Sequence, residues 1–194
     1  MNKLDAAFWQ SRYTEGSTGW DIGYPSPPLK KHIDALPDRT IKVLIPGCGN
    51  AYEAGYMYEQ GFSNVYIIDI APAPIEQFKA KFPGFPADHI LLGDFFQLNQ
   101  SFDLVLEQTF FCALDPSMRE DYVKKMAEII KPSGKLAGLL FSVEFEKQGP
   151  PFGGSKQEYL ELFNKHFNIN KLEDETNSIP PRAGNEVFIE FIRP

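Results

Sequence analysis

The sequence predicts an α/β protein: a doubly wound, mostly parallel seven-stranded sheet with helices on both faces. Three observations point there. Short apolar runs alternate with segments of helical periodicity. The first run stops at a glycine turn, Pro46-Gly47-Cys48-Gly49, directly before a helical segment. The runs that follow stop at polar residues: Asp69, Asp94 and the pair Glu107-Gln108. Right-handed crossovers lay such strands parallel, and ligands then bind at their carboxyl ends, where the strand order reverses.

Each element has its own local reason. Asp5 caps a first helix in which Trp9 and Tyr13, four residues apart, share a face. Gly16 to Pro28 carries three glycines and three prolines and reads as a loop, within which Trp20-Asp21 is an unusual pair for a linker. Ile41 to Ile45 reads as a buried strand. The helix after it is expected to have Asn50 as cap, Glu53 in the capping-box position and Gly61 as its left-handed exit. Val65 to Ile68 is the second strand, ending at Asp69, and Pro72 opens a helix with Ile75, Phe78 and Phe82 on one stripe.

Ile90 to Leu92 and Phe102 to Leu106 are the third and fourth strands. Asp115-Pro116 open a helix bearing Tyr122, Met126, Ile129 and Ile130, closed by Lys131-Pro132-Ser133-Gly134, and Lys135 to Val143 is the fifth strand. Ser155 and Glu158 form a capping box for a helix carrying Tyr159, Leu162 and Phe163. Phe167 to Leu172 and Glu186 to Ile192 complete the seven strands. With no internal repeat or linker, residues 1–194 read as a single domain.

Composition narrows the function. The chain has 194 residues, 43% of them hydrophobic, enough for a substantial core. Its 26 acidic against 19 basic residues give a net charge of -7 without any cationic cluster, which excludes a phosphate-backbone partner: no nucleic acid. No run approaches the roughly 20 apolar residues that cross a bilayer, and charges stand where a signal peptide would be apolar, so a cytoplasmic protein with no membrane partner is expected. Cys48 and Cys112 are not spaced with His32, His89 or His166 for zinc, so no metal is expected and both thiols read as buried and reduced.

The strand ends suggest the ligand. Gly47 and Gly49 let a ligand lie against backbone at a helix start, although a glycine turn alone is also the commonest way to leave a strand. Asp69 follows that turn at about the 20-residue spacing of the carboxylate that accepts hydrogen bonds from a ribose diol. A dinucleotide site wants a further glycine at position 52, beneath the pyrophosphate, but Tyr52 stands there. That bulk turns the reading from NAD towards a nucleoside without phosphates, S-adenosyl-L-methionine. Asp94 and Phe95 suit an adenine, one accepting from its exocyclic amine and the other stacking. Aromatic faces with a nearby carboxylate stabilise a sulfonium, and Trp9, Tyr13, Trp20, Asp21 and Glu107 are the candidates.

These residues also carry a family resemblance. Leu44-Ile45-Pro46-Gly47-Cys48-Gly49, the strand end at Asp69, and the run from Phe102 through Glu107-Gln108-Thr109-Phe110-Phe111-Cys112-Ala113 resemble the thiopurine S-methyltransferase family, closest to its halide and thiol methyltransferase branch. Trp20-Asp21 with Gly23, Gly149-Pro150-Pro151-Phe152, and Ile179-Pro180-Pro181-Arg182 with Gly184 extend the likeness over nearly the whole chain. The resemblance implies a Rossmann-like methyltransferase fold and S-adenosylmethionine as cofactor. By that resemblance Trp9 and Trp20 close over the cofactor, within an N-terminal segment of residues 1–35. Gly47 passes beneath its methionine portion, Asp69 holds the ribose, Asp94 and Phe95 flank the adenine, and Gln108 sits beside the cofactor. Two positions depart from the branch pattern: Tyr13 replaces a tryptophan and Gln108 a tyrosine. The arginine of the human-type thiopurine enzymes is missing near Gln108, which points to a smaller acceptor.

Methyl transfer from a sulfonium is an in-line displacement that needs positioning and exclusion of water more than a strong base. No catalytic residue is therefore assigned from sequence. The acceptor pocket is expected to be walled by Phe8, Phe141, Phe152 and Arg182, with a small molecule, a thiol, thiocyanate, halide or thiopurine, as acceptor and a monomer as the expected state. An NAD(P)-dependent oxidoreductase and a non-catalytic nucleoside-binding module on the same fold are the alternatives.

Overall fold

The computed structural model describes residues 4–147 and 149–194. Seven strands form one sheet in the order β3-β2-β1-β4-β5-β7-β6. They are β1 (Val43–Pro46), β2 (Val65–Asp69), β3 (Ile90–Leu92), β4 (Phe102–Gln108), β5 (Ile130–Phe141), β6 (Asn168–Asp174) and β7 (Glu186–Ile192). The first five are parallel, while β7 runs antiparallel to both β5 and β6. The order reverses between β1 and β4, so the carboxyl ends of those two strands, at Pro46 and Gln108, flank the crevice that such sheets use for ligands.

Alternation along the strands divides the core in two. Val43, Ile45, Leu104, Leu106 and Ala137 face one side, where α2 (Pro27–Asp34), α3 (Tyr52–Glu59) and α4 (Pro72–Lys81) deliver Leu29, Ile33, Met57, Ile75 and Phe78. Leu44, Val105, Leu136, Val187 and Phe191 face the other, under Tyr122, Met126 and Ile129 of α5 (Arg119–Ile129) and Phe163 of α6 (Lys156–Phe163). The remaining helix, α1 (Ala6–Thr14), packs on α4 instead of a sheet face. Among the described residues no helix is long and apolar enough to cross a membrane.

Several caps form as expected. Asp5 accepts from the Phe8 amide at 3.1 Å. Past α3 the Gly61 amide reaches the Tyr58 carbonyl and the Phe62 amide the Met57 carbonyl, the paired bonds of a Schellman exit. Others differ. The proline-rich loop is shorter than expected, because Ser26-Pro27-Pro28 starts α2, with proline pre-set for its first turn. Asn50 is not the cap of α3: Ala51, in the left-handed region at φ 51°, precedes the helix, and Glu53 accepts from the Ser26 amide at 2.8 Å. Asp115 caps a single 3-10 turn that leads into α5. Lys131 to Gly134 does not end a helix before a separate strand; β5 starts already at Ile130 and carries an irregularity there. Only half of the second capping box forms, since Ser155 accepts from the Glu158 amide while the Glu158 carboxylate pairs with Arg119.

Candidate active site

The glycine turn sits at the switch point with both glycines in the left-handed region, Gly47 at φ 54° and Gly49 at φ 51°. A Cβ on Gly47 would lie 2.2 Å from the Phe110 ring, and one on Gly49 would lie 2.8 Å from the Tyr13 hydroxyl. Phe110 of the loop after β4 and Tyr13 of α1 thus already lie against this backbone, and the turn needs glycine both for its left-handed φ and for this close approach.

Asp69 ends β2 beside this turn. One carboxylate oxygen accepts from the Gly49 amide at 2.9 Å and the other from the Ala71 amide at 2.8 Å. Burial pushes its carboxyl up, and the amides of Ala71, Gly49 and Ile70 pull it back down. Each oxygen keeps a second lone pair for a hydroxyl donor. Gln108, at the end of β4, has its Oε1 buried with no hydrogen-bond partner among the described residues, and so does Asn50 with its Oδ1. Buried amide oxygens without donors are costly unless a ligand donor meets them.

The N-terminal segment is drawn over this place by bonds from several elements. Trp20 stacks edge-on against Trp9 at 5.6 Å and Tyr13 at 5.8 Å between ring centroids. Burial, and then the nearby Asp69 carboxylate, hold the Tyr13 phenol well above its usual range. Gln10 accepts from the Ala73 amide at 2.9 Å, which caps the first turn of α4 from outside. Asp21 binds Asn50 and, at 3.3 Å, the hydroxyl of Tyr52. The residue that stands in place of a third glycine therefore helps to anchor the segment.

Not every expected residue faces the cradle. Glu107 is fully buried, and its Oε1 accepts from the Phe110 and Phe111 amides at 2.8 and 2.9 Å while Tyr122 donates to Oε2. It shapes the loop after β4, where Thr109 turns at φ 58°, and both its oxygens are committed to that loop and to Tyr122. Asp21 is likewise committed to anchoring. Phe95 is buried against the rings of Phe96, Phe110 and Tyr122, whereas Asp94 is exposed and uses one oxygen to cap the next turn at the Phe96 amide, 2.9 Å away.

Of the expected acceptor wall, Phe141 ends β5 and lines a cavity of about 10 Å³ with Thr109, Cys112, Leu139, Leu140 and Glu186. Phe152 lies close by, its amide bonded to the Cys112 carbonyl at 2.7 Å. Phe8 packs edge-on against Trp9 under the Arg12 guanidinium. Arg182 is not a surface residue: it is buried, donates to the Trp20 carbonyl at 2.7 Å and pairs with Glu186 at 3.6 Å. It therefore ties the N-terminal segment to the loop before β7, a contact across 162 residues that sequence patterning does not reveal. Burial raises the thiols of Cys48 and Cys112, so neither is a nucleophile near neutral pH. No cluster of metal-ligating side chains occurs among the described residues.

A left-handed glycine turn under aromatic side chains and a buried carboxylate at the next strand end, both at the switch point of a seven-stranded sheet, are what an S-adenosylmethionine-dependent methyltransferase presents. The model of one family, thiopurine S-methyltransferase, matches residues 4–188, and the chain belongs to that family. A probable thiol methyltransferase of Arabidopsis thaliana is 30% identical over 96% of this chain and 84% of its own length. A thiocyanate methyltransferase of Brassica oleracea is 29% identical over 92% and 81%. Among solved structures, a Burkholderia thailandensis 1,6-didemethyltoxoflavin N1-methyltransferase with bound S-adenosylhomocysteine superposes with a TM-score of 0.77 at 18% identity, covering 97% of this chain and 86% of that one. The chain is thus a methyltransferase that uses S-adenosylmethionine, and the oxidoreductase alternative falls, as Tyr52 had indicated.

Proposed function

We propose that this methyltransferase acts on a small nucleophile, a thiol, thiocyanate or halide, in preference to a thiopurine. The observation that carries this is the closed place between the loop after β4 and the end of β5, where Thr109, Phe141 and Glu186 border a void of about 10 Å³, room for one water, so that any acceptor must displace these walls and a compact one displaces them least. The names of the plant relatives agree with it.

When bound, S-adenosylmethionine supplies a methyl group activated as a sulfonium. Asp69 holds its ribose, the turn at Gly47 and Gly49, with Phe110 and Tyr13 packed on it, borders its amino-acid portion, and the unpartnered Oε1 of Gln108 accepts from its ammonium. The exposed Asp94 receives the adenine amine, and Phe95 supports this wall from within the core. Of the N-terminal segment, residues 4–35 act as the cover of a single domain: Trp9 and Trp20 lend their rings and Tyr13 its hydroxyl end to the closed site and exclude water, which strengthens the electrostatics there. Phe8, Phe141 and Phe152 wall the acceptor side, so that its sulfur or halide meets the methyl in a near-attack arrangement.

A panel of thiols, thiocyanate, iodide and a thiopurine, incubated with methyl-labelled S-adenosylmethionine, tests this reading. Labelled thioether, methyl thiocyanate or methyl iodide is expected. Label confined to the thiopurine overturns it.

A further inference from the structure

We propose that Glu186 is the proton acceptor for a thiol substrate, so that the site handles neutral thiols better than preformed anions. The inference rests on the small-nucleophile reading and adds a residue to it. Glu186 opens β7 directly across from Phe141 of β5, and with Thr109, Cys112 and Phe141 it lines the small cavity. It is 4% exposed, so its carboxylate charge acts within the protein and is little screened by water. Thr109 directly follows Gln108, which puts the cavity at the same strand end as the cofactor contact.

The groups facing the carboxylate are Arg182, Ser178, Glu175 and Cys112. Arg182 pairs with it at 3.6 Å but gives its shorter bond to the Trp20 carbonyl, so the ion pair is a long one. Burial raises the Glu186 carboxyl, Ser178 and Arg182 lower it, and Glu175 raises it again. Cys112, in the same cavity, is held protonated and does not compete as a base. A base shifted upwards is better matched to a thiol with its reference pKa near 8.5. A thiol donates its S–H to a carboxylate, whereas an incoming iodide or thiocyanate meets a like charge there.

The step balances. The thiol proton moves to Glu186 while the thiol sulfur forms its bond to the methyl carbon. The pair of the broken bond stays on the donor sulfur, which becomes a neutral thioether, and Glu186 then releases the proton to water.

The test compares wild type with Glu186→Gln and Glu186→Asp, all checked for folding by thermal melting. It measures kcat/KM for a thiol and for thiocyanate and, by calorimetry without cofactor, thiocyanate affinity. Glu186→Gln is expected to lower thiol methylation tenfold or more and thiocyanate methylation clearly less, and to tighten thiocyanate binding several-fold. Glu186→Asp should retain part of the thiol activity. Equal losses for both acceptors, or no change for either, overturns the role of Glu186. A wild type that methylates neither thiol nor anion fails the small-nucleophile reading itself, whatever the variants do.

Discussion

Replacing Glu107 by Gln should alter the pH dependence of stability more than stability itself. The Glu107 carboxyl is pushed up from 4.5 to about 7, chiefly by burial, against the pull of Tyr122 and the Phe111 and Phe110 amides. A folded-state pKa above the unfolded value means the folded protein holds the proton more tightly. This contribution is therefore fully present below about pH 4.5 and is lost as pH rises towards and through 7. A gap of about two and a half units, at 1.36 kcal/mol each, is worth about 3 kcal/mol in full, of which about 2 to 3 kcal/mol falls between pH 5 and 8. The variant keeps the loop: its amide oxygen accepts from Phe110 and Phe111, and its NH₂ donates to the Tyr122 oxygen. Urea unfolding of both proteins at pH 5, 6, 7 and 8 should show the wild type losing that much relative to the variant. Parallel stability curves would refute the reasoning, because they would mean that Glu107 is ionised in the fold throughout that range.

Further outcomes follow from the same contacts. Gly47→Ala places a side chain at φ 54° and into the Phe110 ring, and should cost roughly 2 to 4 kcal/mol in chemical denaturation along with cofactor affinity. Arg182→Met removes the donor to the Trp20 carbonyl and the partner of Glu186, and should cost about 3 kcal/mol. Its deficit should grow with pH as the unpaired Glu186 is forced to ionise, and hydrogen exchange should quicken in the segment around Trp20. Glu53→Ala leaves the Ser26 amide without its acceptor and should loosen the start of α2 by about 1 to 3 kcal/mol, read as a lower urea midpoint.

Periodicity and turn chemistry made most of the framework legible. Ile90–Leu92 and Glu186–Ile192 have the bounds their apolar runs suggest, and the Asp5 carboxylate starts α1 while the left-handed backbone of Gly61 ends α3. Helix α2 was readable too, in Ser26-Pro27-Pro28, but the density of prolines around it argued for a loop. The start of β5 was not, since Lys131-Pro132-Ser133-Gly134 has helix-stop chemistry and only pairing with β4 and β7 extends the strand across it. At the candidate site, the positions of the glycine turn and of Asp69 were legible because each stands where an apolar run stops. Side-chain allegiances were not: whether Glu107 or Arg182 faces a ligand or a distant backbone group depends on tertiary contacts that have no trace in local spacing.

The most direct test of the site is a calorimetric titration of S-adenosylmethionine into the wild-type chain and into Asp69→Ala. Loss of a charge-assisted hydrogen bond to the ribose is worth roughly 1 to 3 kcal/mol, about 5- to 150-fold in affinity. The expected result is one molecule bound per chain, weakened by that factor in the variant while thermal melting shows it still folded. Equal affinity in the two folded proteins would contradict a cofactor held at the end of β2.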